Sequence, residues 1–160
     1  MALAAVFFLC SSSFLVDPLE EDADFLQNML DKHYDEQFAG SQMQRYELSI
    51  TNNGFCRYRR HYKNGKIEYF AFNFMKYKDA DFLGGSARGL LCLRTNEDDV
   101  IVQTYKDSSG DIDSMASSLI IPLKQVEPED LNILVEKIRL MRVALQKQQT
   151  RQFPGVAKQQ

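Results

Sequence analysis

A chain of 160 residues, 44% hydrophobic and 26% charged, has the length and composition of one globular domain. At this length roughly 68–70% of the unfolded surface can be buried, so neither a disulfide nor a metal is needed to hold a core. A net charge of −3 is too small to point to nucleic acid or to a polycation as partner.

The distribution of charge says more. Asp17, Glu20, Glu21, Asp22, Asp24, Asp31, Asp35 and Glu36 face only Lys32 in the first acidic stretch. Between Arg57 and Lys66 the sign reverses, with Arg57, Arg59, Arg60, Lys63 and Lys66 and no acid. From Lys137 onward bases accumulate again and acids are absent. Such asymmetry either orients an encounter with a charged partner or lets acidic and basic surfaces of one fold face each other.

Residues 1–13 are an apolar run closed by Ser11-Ser12-Ser13, the pattern of a secretory h-region and cleavage zone without its positive n-region. The run is shorter than the ~20 residues of a spanning helix, which predicts export to a periplasmic, cell-envelope or secreted location. Cys10 follows Leu9 rather than the small residue of a lipobox, which disfavours lipidation. Removal of the leader leaves Cys56 and Cys92, either one disulfide or two separate thiols.

The folded domain is expected over 17–147. Asp17-Pro18-Leu19-Glu20 combines a capping Asp with Pro at the first helical position. Phe25, Leu26, Met29, Leu30, Tyr34 and Phe38 then predict one apolar helix face, ending near Gly40. The period changes to two from Arg45, where Tyr46, Leu48 and Ile50 alternate with Glu47 and Ser49 up to Asn52-Asn53-Gly54. Strands are expected at Phe55–Lys63 and Lys66–Tyr77 around Asn64-Gly65, the preferred pair of a two-residue type I′ turn. Further strands follow at Leu90–Thr95 after Gly84-Gly85, at Val100–Tyr105, and at Met115–Leu123, where Pro122 marks a strand end or sheet edge.

A last helix starts at Pro128, with Leu131, Leu134, Ile138, Met141 and Leu145 as its buried stripe. Residues 148–160 lose periodicity and read as a flexible polar tail. The order predicts an α+β fold with about six antiparallel strands between an N-terminal and a C-terminal helix. The sheet is either open or strongly bent with the last helix closing one end. The bent form resembles pleckstrin-homology-like domains in architecture, with no motif to support membership.

A two-residue turn at Asn64-Gly65 sets Lys63 against Lys66, His61 against Glu68, Arg59 against Phe70 and Arg57 against Phe72. Arg57, Arg59, His61, Lys63, Lys66, Phe70 and Phe72 would then share one face, a cationic ladder beside two aromatic rings. Such a face fits an acidic protein surface, an anionic glycan or, peripherally, lipid headgroups. In the plainer alternative the arginine stems cover the phenylalanines and hold the acidic first helix.

His61 opposite Glu68 could also serve a small hydrolase or lyase as an acid–base pair. Parity separates Cys56 from His61, which disfavours a cysteine nucleophile. His33 with Glu36 is a poor metal signal and reads as solvated helix surface. Asp107-Ser-Ser-Gly-Asp-Ile-Asp113 has alternate oxygen ligands but not the spacing of a calcium loop. With no cofactor motif, the sequence predicts a non-enzymatic exported or envelope domain that binds a protein or anionic glycan through the basic aromatic hairpin. A structural subunit of an envelope assembly is the other reading.

Overall fold

A computed structural model describes residues 17–38 and 42–152. The leader 1–13 and the last tail residues lie outside them, as does Gly40. The fold is α+β, with two open antiparallel sheets flanked by two helices.

Helix α1, Pro18–His33, begins as the sequence predicts: the Asp17 carboxylate accepts from the Leu19 N–H at 3.0 Å. It stops earlier than expected, because Tyr34 turns into an extended conformation and bridges Leu123, while the Asp35 N–H donates to the Pro122 carbonyl at 3.0 Å. The buried stripe is therefore Leu19, Ala23, Leu26, Leu30 and His33. Phe38, expected on that stripe, is exposed, and His33, expected in solvent, is buried against the Lys124 carbonyl.

Strands β1 (Met43–Ile50), β2 (Phe55–Tyr62), β3 (Ile67–Asn73), β6 (Val100–Tyr105) and β7 (Asp113–Ala116) form a five-stranded sheet in that order. Strands β4 (Tyr77–Gly85), β5 (Arg88–Thr95) and β8 (Ser118–Lys124) form the second. Eight strands replace the six expected, for two reasons. The run Lys66–Tyr77 breaks where Asn73 caps a single 3-10 turn, Phe74–Lys76, and the chain re-enters as β4 in the other sheet. The run Met115–Leu123 is likewise divided at Ser117, whose carbonyl accepts the Thr95 N–H at 2.9 Å. One continuous apolar stretch thus serves both sheets, and Pro122 sits on an edge strand, where its missing N–H costs no ladder bond.

Helix α2, Pro128–Gln152, runs beyond Lys147 into the stretch expected to be a tail. Leu134, Ile138, Met141 and Leu145 bury its inner face. Lys137 reaches Asp22 at 2.7 Å, so the acidic first helix is held by the basic last helix and not by the arginine strand. The two sheets turn Leu48, Cys56, Tyr58, Phe72, Leu91, Leu93, Leu119 and Ile121 into one core that both helices complete. Cys56 is buried in β2 while Cys92 alternates outward between buried Leu91 and Leu93, and both are free thiols. The disulfide alternative therefore falls. Among the described residues no helix is long and apolar enough to cross a membrane.

Candidate functional site

The face of the arginine strand is decided by one turn. Gly65 donates to the Tyr62 carbonyl at 2.9 Å, the Tyr62 N–H donates to the Lys66 carbonyl at 2.9 Å, and Gly65 has φ 86°. That is a three-residue loop, a turn followed by a left-handed glycine, instead of the two-residue loop expected from Asn64-Gly65. The β1–β2 connection repeats the device: Gly54, φ 83°, donates to the Thr51 carbonyl at 2.8 Å.

The longer loop moves the register by one residue. Arg57 pairs with Ala71, Arg59 with Tyr69 and His61 with Ile67, whereas Cys56 pairs with Phe72, Tyr58 with Phe70 and Arg60 with Glu68. Because side chains alternate, a shift of one residue exchanges the faces of the whole partner strand. Phe70 and Phe72 therefore leave the cationic ladder and pack inward, with Phe72 in the core. Glu68 lies on the opposite face from His61, so the proposed acid–base pair does not exist. Lys66 turns inward too, reaching Glu68 at 3.0 Å and Asp107 at 2.8 Å. Lys63 stays exposed at the turn.

On the outward face remain Arg57, Arg59 and His61, now beside Glu47 and Ser49 of β1 and Tyr69 of β3. Ser49 stands opposite Arg57, and Glu47 opposite Arg59. Glu47 accepts from Arg59 at 3.2 Å and lies 3.1 Å from His61 Nε2, with Arg45 completing the cluster. Partial burial pushes the Glu47 carboxyl up, but Arg45, His61 and Arg59 outweigh it and hold the group below its ordinary range. Arg59 also lies 5.3 Å from the centre of the Tyr69 ring. Arg57 is different: it is exposed, rests 5.2 Å from the Phe55 ring centre, and has no carboxylate partner among the described residues. Glu47, Ser49, Arg57, Arg59 and Tyr69 line a shallow depression of about 170 Å³.

No protein-family model, no curated protein and no solved structure matches this chain.

The inward end of the same strands carries a second polar group. Arg60 meets Glu68 at 2.7 Å and covers the rings of Tyr58 and Phe70 at 5.4 and 5.0 Å. Burial raises the Glu68 carboxyl, yet the Tyr62 hydroxyl, Arg60 and Lys66 outweigh it and lower its pKa. Tyr62 in turn is pushed up to about 12, by burial first and then by its bond to Glu68. These groups close an end of the core, and within them only the Arg60 Nε is buried without a hydrogen-bond partner. In the 107–113 loop, Asp107 is engaged by Lys66 and the Ser109 N–H, Asp111 by the Asp107 N–H, and Asp113 by Gln103. Its acids thus serve the loop itself, and no group of three or more metal-ligating side chains forms among the described residues.

Sequence reasoning missed Glu47, Ser49 and Tyr69. The signal for the first two was present, since they are the outward positions of an alternating strand that Asn52-Asn53-Gly54 turns back onto the arginine strand. Tyr69 needed the true register.

Proposed function

We propose that the protein is a non-enzymatic binding domain whose outward β1–β2–β3 face takes a carboxylate-bearing glycan. The observation that carries this reading is Arg57, an exposed guanidinium without a carboxylate, beside the Ser49 hydroxyl and a depression walled by Arg59 and Tyr69. A guanidinium offers paired donors to a carboxylate, and the serine hydroxyl adds another. Glu47 faces the same depression and can accept from sugar hydroxyls, while the half-buried Tyr69, with Arg59 over its ring, lines the depression as an aromatic wall. A purely acidic protein surface would meet repulsion at Glu47; a uronate residue, with one carboxylate and several hydroxyls, fits both charges. The reading keeps the expected export, in which the leader 1–13 is removed. Intact mass of protein recovered from its natural source checks that step, and a chain retaining Met1 would sink it.

The test is titration of the chain from Phe14 onward with a uronate oligosaccharide and with its neutral counterpart. An acidic peptide is run as the competing macromolecule. Uronate binding that weakens with salt and falls at least about tenfold in Arg57→Ser supports the proposal, because a charge-assisted hydrogen bond contributes about 1.5–3 kcal/mol. Equal affinity in Arg57→Ser, or a preference for the peptide, refutes it. The hydrolase or lyase alternative loses the His61/Glu68 pair it was built on, and the carboxylate beside His61 is Glu47, which Arg45 and Arg59 also engage.

A further inference from the structure

The outward face of the five-stranded sheet does not stop at β3. Register carries one row across all five strands, so that Glu47, Arg59, Tyr69, Gln103 and Asp113 stand side by side. Because side chains alternate, Tyr105, two residues beyond Gln103, faces the same way. A second hollow of about 190 Å³ opens at that far end, lined by Gln103, Thr104, Tyr105, Asp111, Ile112 and Asp113. Tyr69 of the first depression and Gln103 of the second are direct neighbours, so the two hollows adjoin on one surface.

The two ends differ in charge. The first holds Arg45, Arg57 and Arg59 against Glu47. The second is lined by Asp111 and Asp113 and by no base. Asp113 accepts from the Gln103 amide at 3.2 Å and Asp111 from the Asp107 N–H at 2.9 Å; both donors are neutral, so this end stays acidic. Tyr105 is 43% exposed and Ile112 52%. The Tyr105 hydroxyl donates at 2.8 Å to Gln103, which is itself tied to Asp113, so the exposed ring is held in one place.

We propose that the far hollow is a second sugar subsite, and that the face selects a glycan joining a uronate to an uncharged sugar over an unbroken run of uronates. The inference rests on the glycan reading of the Arg57 end. A fixed, exposed aromatic ring beside hydrogen-bond acceptors suits an uncharged sugar: the ring takes its apolar face, and Asp111 and Asp113 accept from its hydroxyls. The same two carboxylates repel a second uronate, so the subsite discriminates by rejection as well as by contact. The hollows lie two to three strand spacings apart, roughly 10–14 Å, which exceeds one sugar ring and calls for an oligosaccharide. One ligand spanning both subsites makes its second contact intramolecular, so two weak subsites give a firmer hold together.

The chain from Phe14 onward is titrated with a single uronate, with an oligosaccharide alternating uronate and uncharged hexose, and with a homo-uronate oligosaccharide of the same length. The alternating chain should bind at least about tenfold more tightly than the homo-uronate. Tyr105→Ala should lower affinity for the alternating chain at least about fivefold, a larger loss than for the single uronate. Asp113→Asn should raise homo-uronate affinity and narrow the preference. A homo-uronate that binds as well as the alternating chain overturns the inference. So does a Tyr105→Ala variant that loses no more of the oligosaccharide than of the single uronate. Arg57→Ser, run alongside, separates the two levels. Single-uronate binding that needs Arg57, with no effect of Tyr105→Ala or Asp113→Asn on either oligosaccharide, refutes the second subsite and leaves the glycan reading standing. No binding of any uronate probe refutes both.

Discussion

Arg57 and Arg59 lie two residues apart on one strand face, yet they meet different neighbours. Arg59 is tied to Glu47 and stacked on Tyr69, so replacing it disturbs the sheet surface as well as any ligand contact. Arg57 makes no such ion pair among the described residues, only a contact with the Phe55 ring, so its replacement disturbs the sheet surface less and reports more directly on binding. The two thiols diverge in the same way. Burial pushes the Cys56 thiol up to about 12, which leaves almost no thiolate at neutral pH. In the chain from Phe14 onward, a disulfide-exchange reagent should label Cys92 in the native state and Cys56 only after denaturation. Rapid native labelling of both would contradict the core placement of Cys56. Tyr34 and Tyr58 share a 2.6 Å hydrogen bond inside the core, and burial raises both, Tyr34 helped further by that bond.

These shifts set the pH dependence. Raised groups contribute stability that is whole below their unfolded values and lost as pH climbs through the folded ones. With Cys56 ordinarily at 9.0 and Tyr62 at 10.0, each held near 12, unfolding midpoints in urea should fall between about pH 9 and 12. Glu68 works in the opposite direction. Its lowered pKa adds stability above its ordinary value of 4.5, and that share disappears as pH drops through the lower folded value. A flat stability profile across either window would refute the corresponding assignment.

At the scale of elements, two glycines decide the register of the ladder sheet. Gly54 and Gly65 both hold left-handed backbone, where alanine costs on the order of 1 kcal/mol. They differ in space: a Cβ at Gly65 meets nothing within 4 Å, while one at Gly54 would come 2.3 Å from a Leu145 methyl of α2. Gly54→Ala should therefore destabilise more than Gly65→Ala, by chemical denaturation, and Leu145→Ala should narrow the gap. Gln27 shows how α1 blunts a sheet edge. Its side-chain amide accepts from the Ile50 N–H at 2.8 Å and donates to the Leu48 carbonyl at 2.9 Å, as a neighbouring strand would.

At the scale of the whole molecule, the division at Ser117 joins the sheets, and the buried side chains around it couple their stability. Ile121→Ala, at a fully buried position of β8, should cost about 2–5 kcal/mol in a single cooperative transition. Two separate transitions would mean that the sheets unfold independently. Local patterns sufficed for the start of α1 and the stripe of α2, because a capping Asp, Pro at the first position and apolar spacing act within a few residues. The same was true of β1, β2 and the α+β class. The end of α1 was not legible, since Tyr34 and Asp35 leave the helix for partners on β8, far away in sequence. Nor was the inward turn of Phe70 and Phe72, because Asn-Gly is compatible with two loop lengths whose registers differ by one residue. Burial chose between them: the longer loop sends Phe72 into the core and Phe70 against it, and leaves Arg57 and Arg59 on the outer face. Residue types along the hairpin were thus enough to announce a cationic strand, while tertiary packing decided which side chains stand beside it, because only the shared core distinguishes the two faces of a sheet.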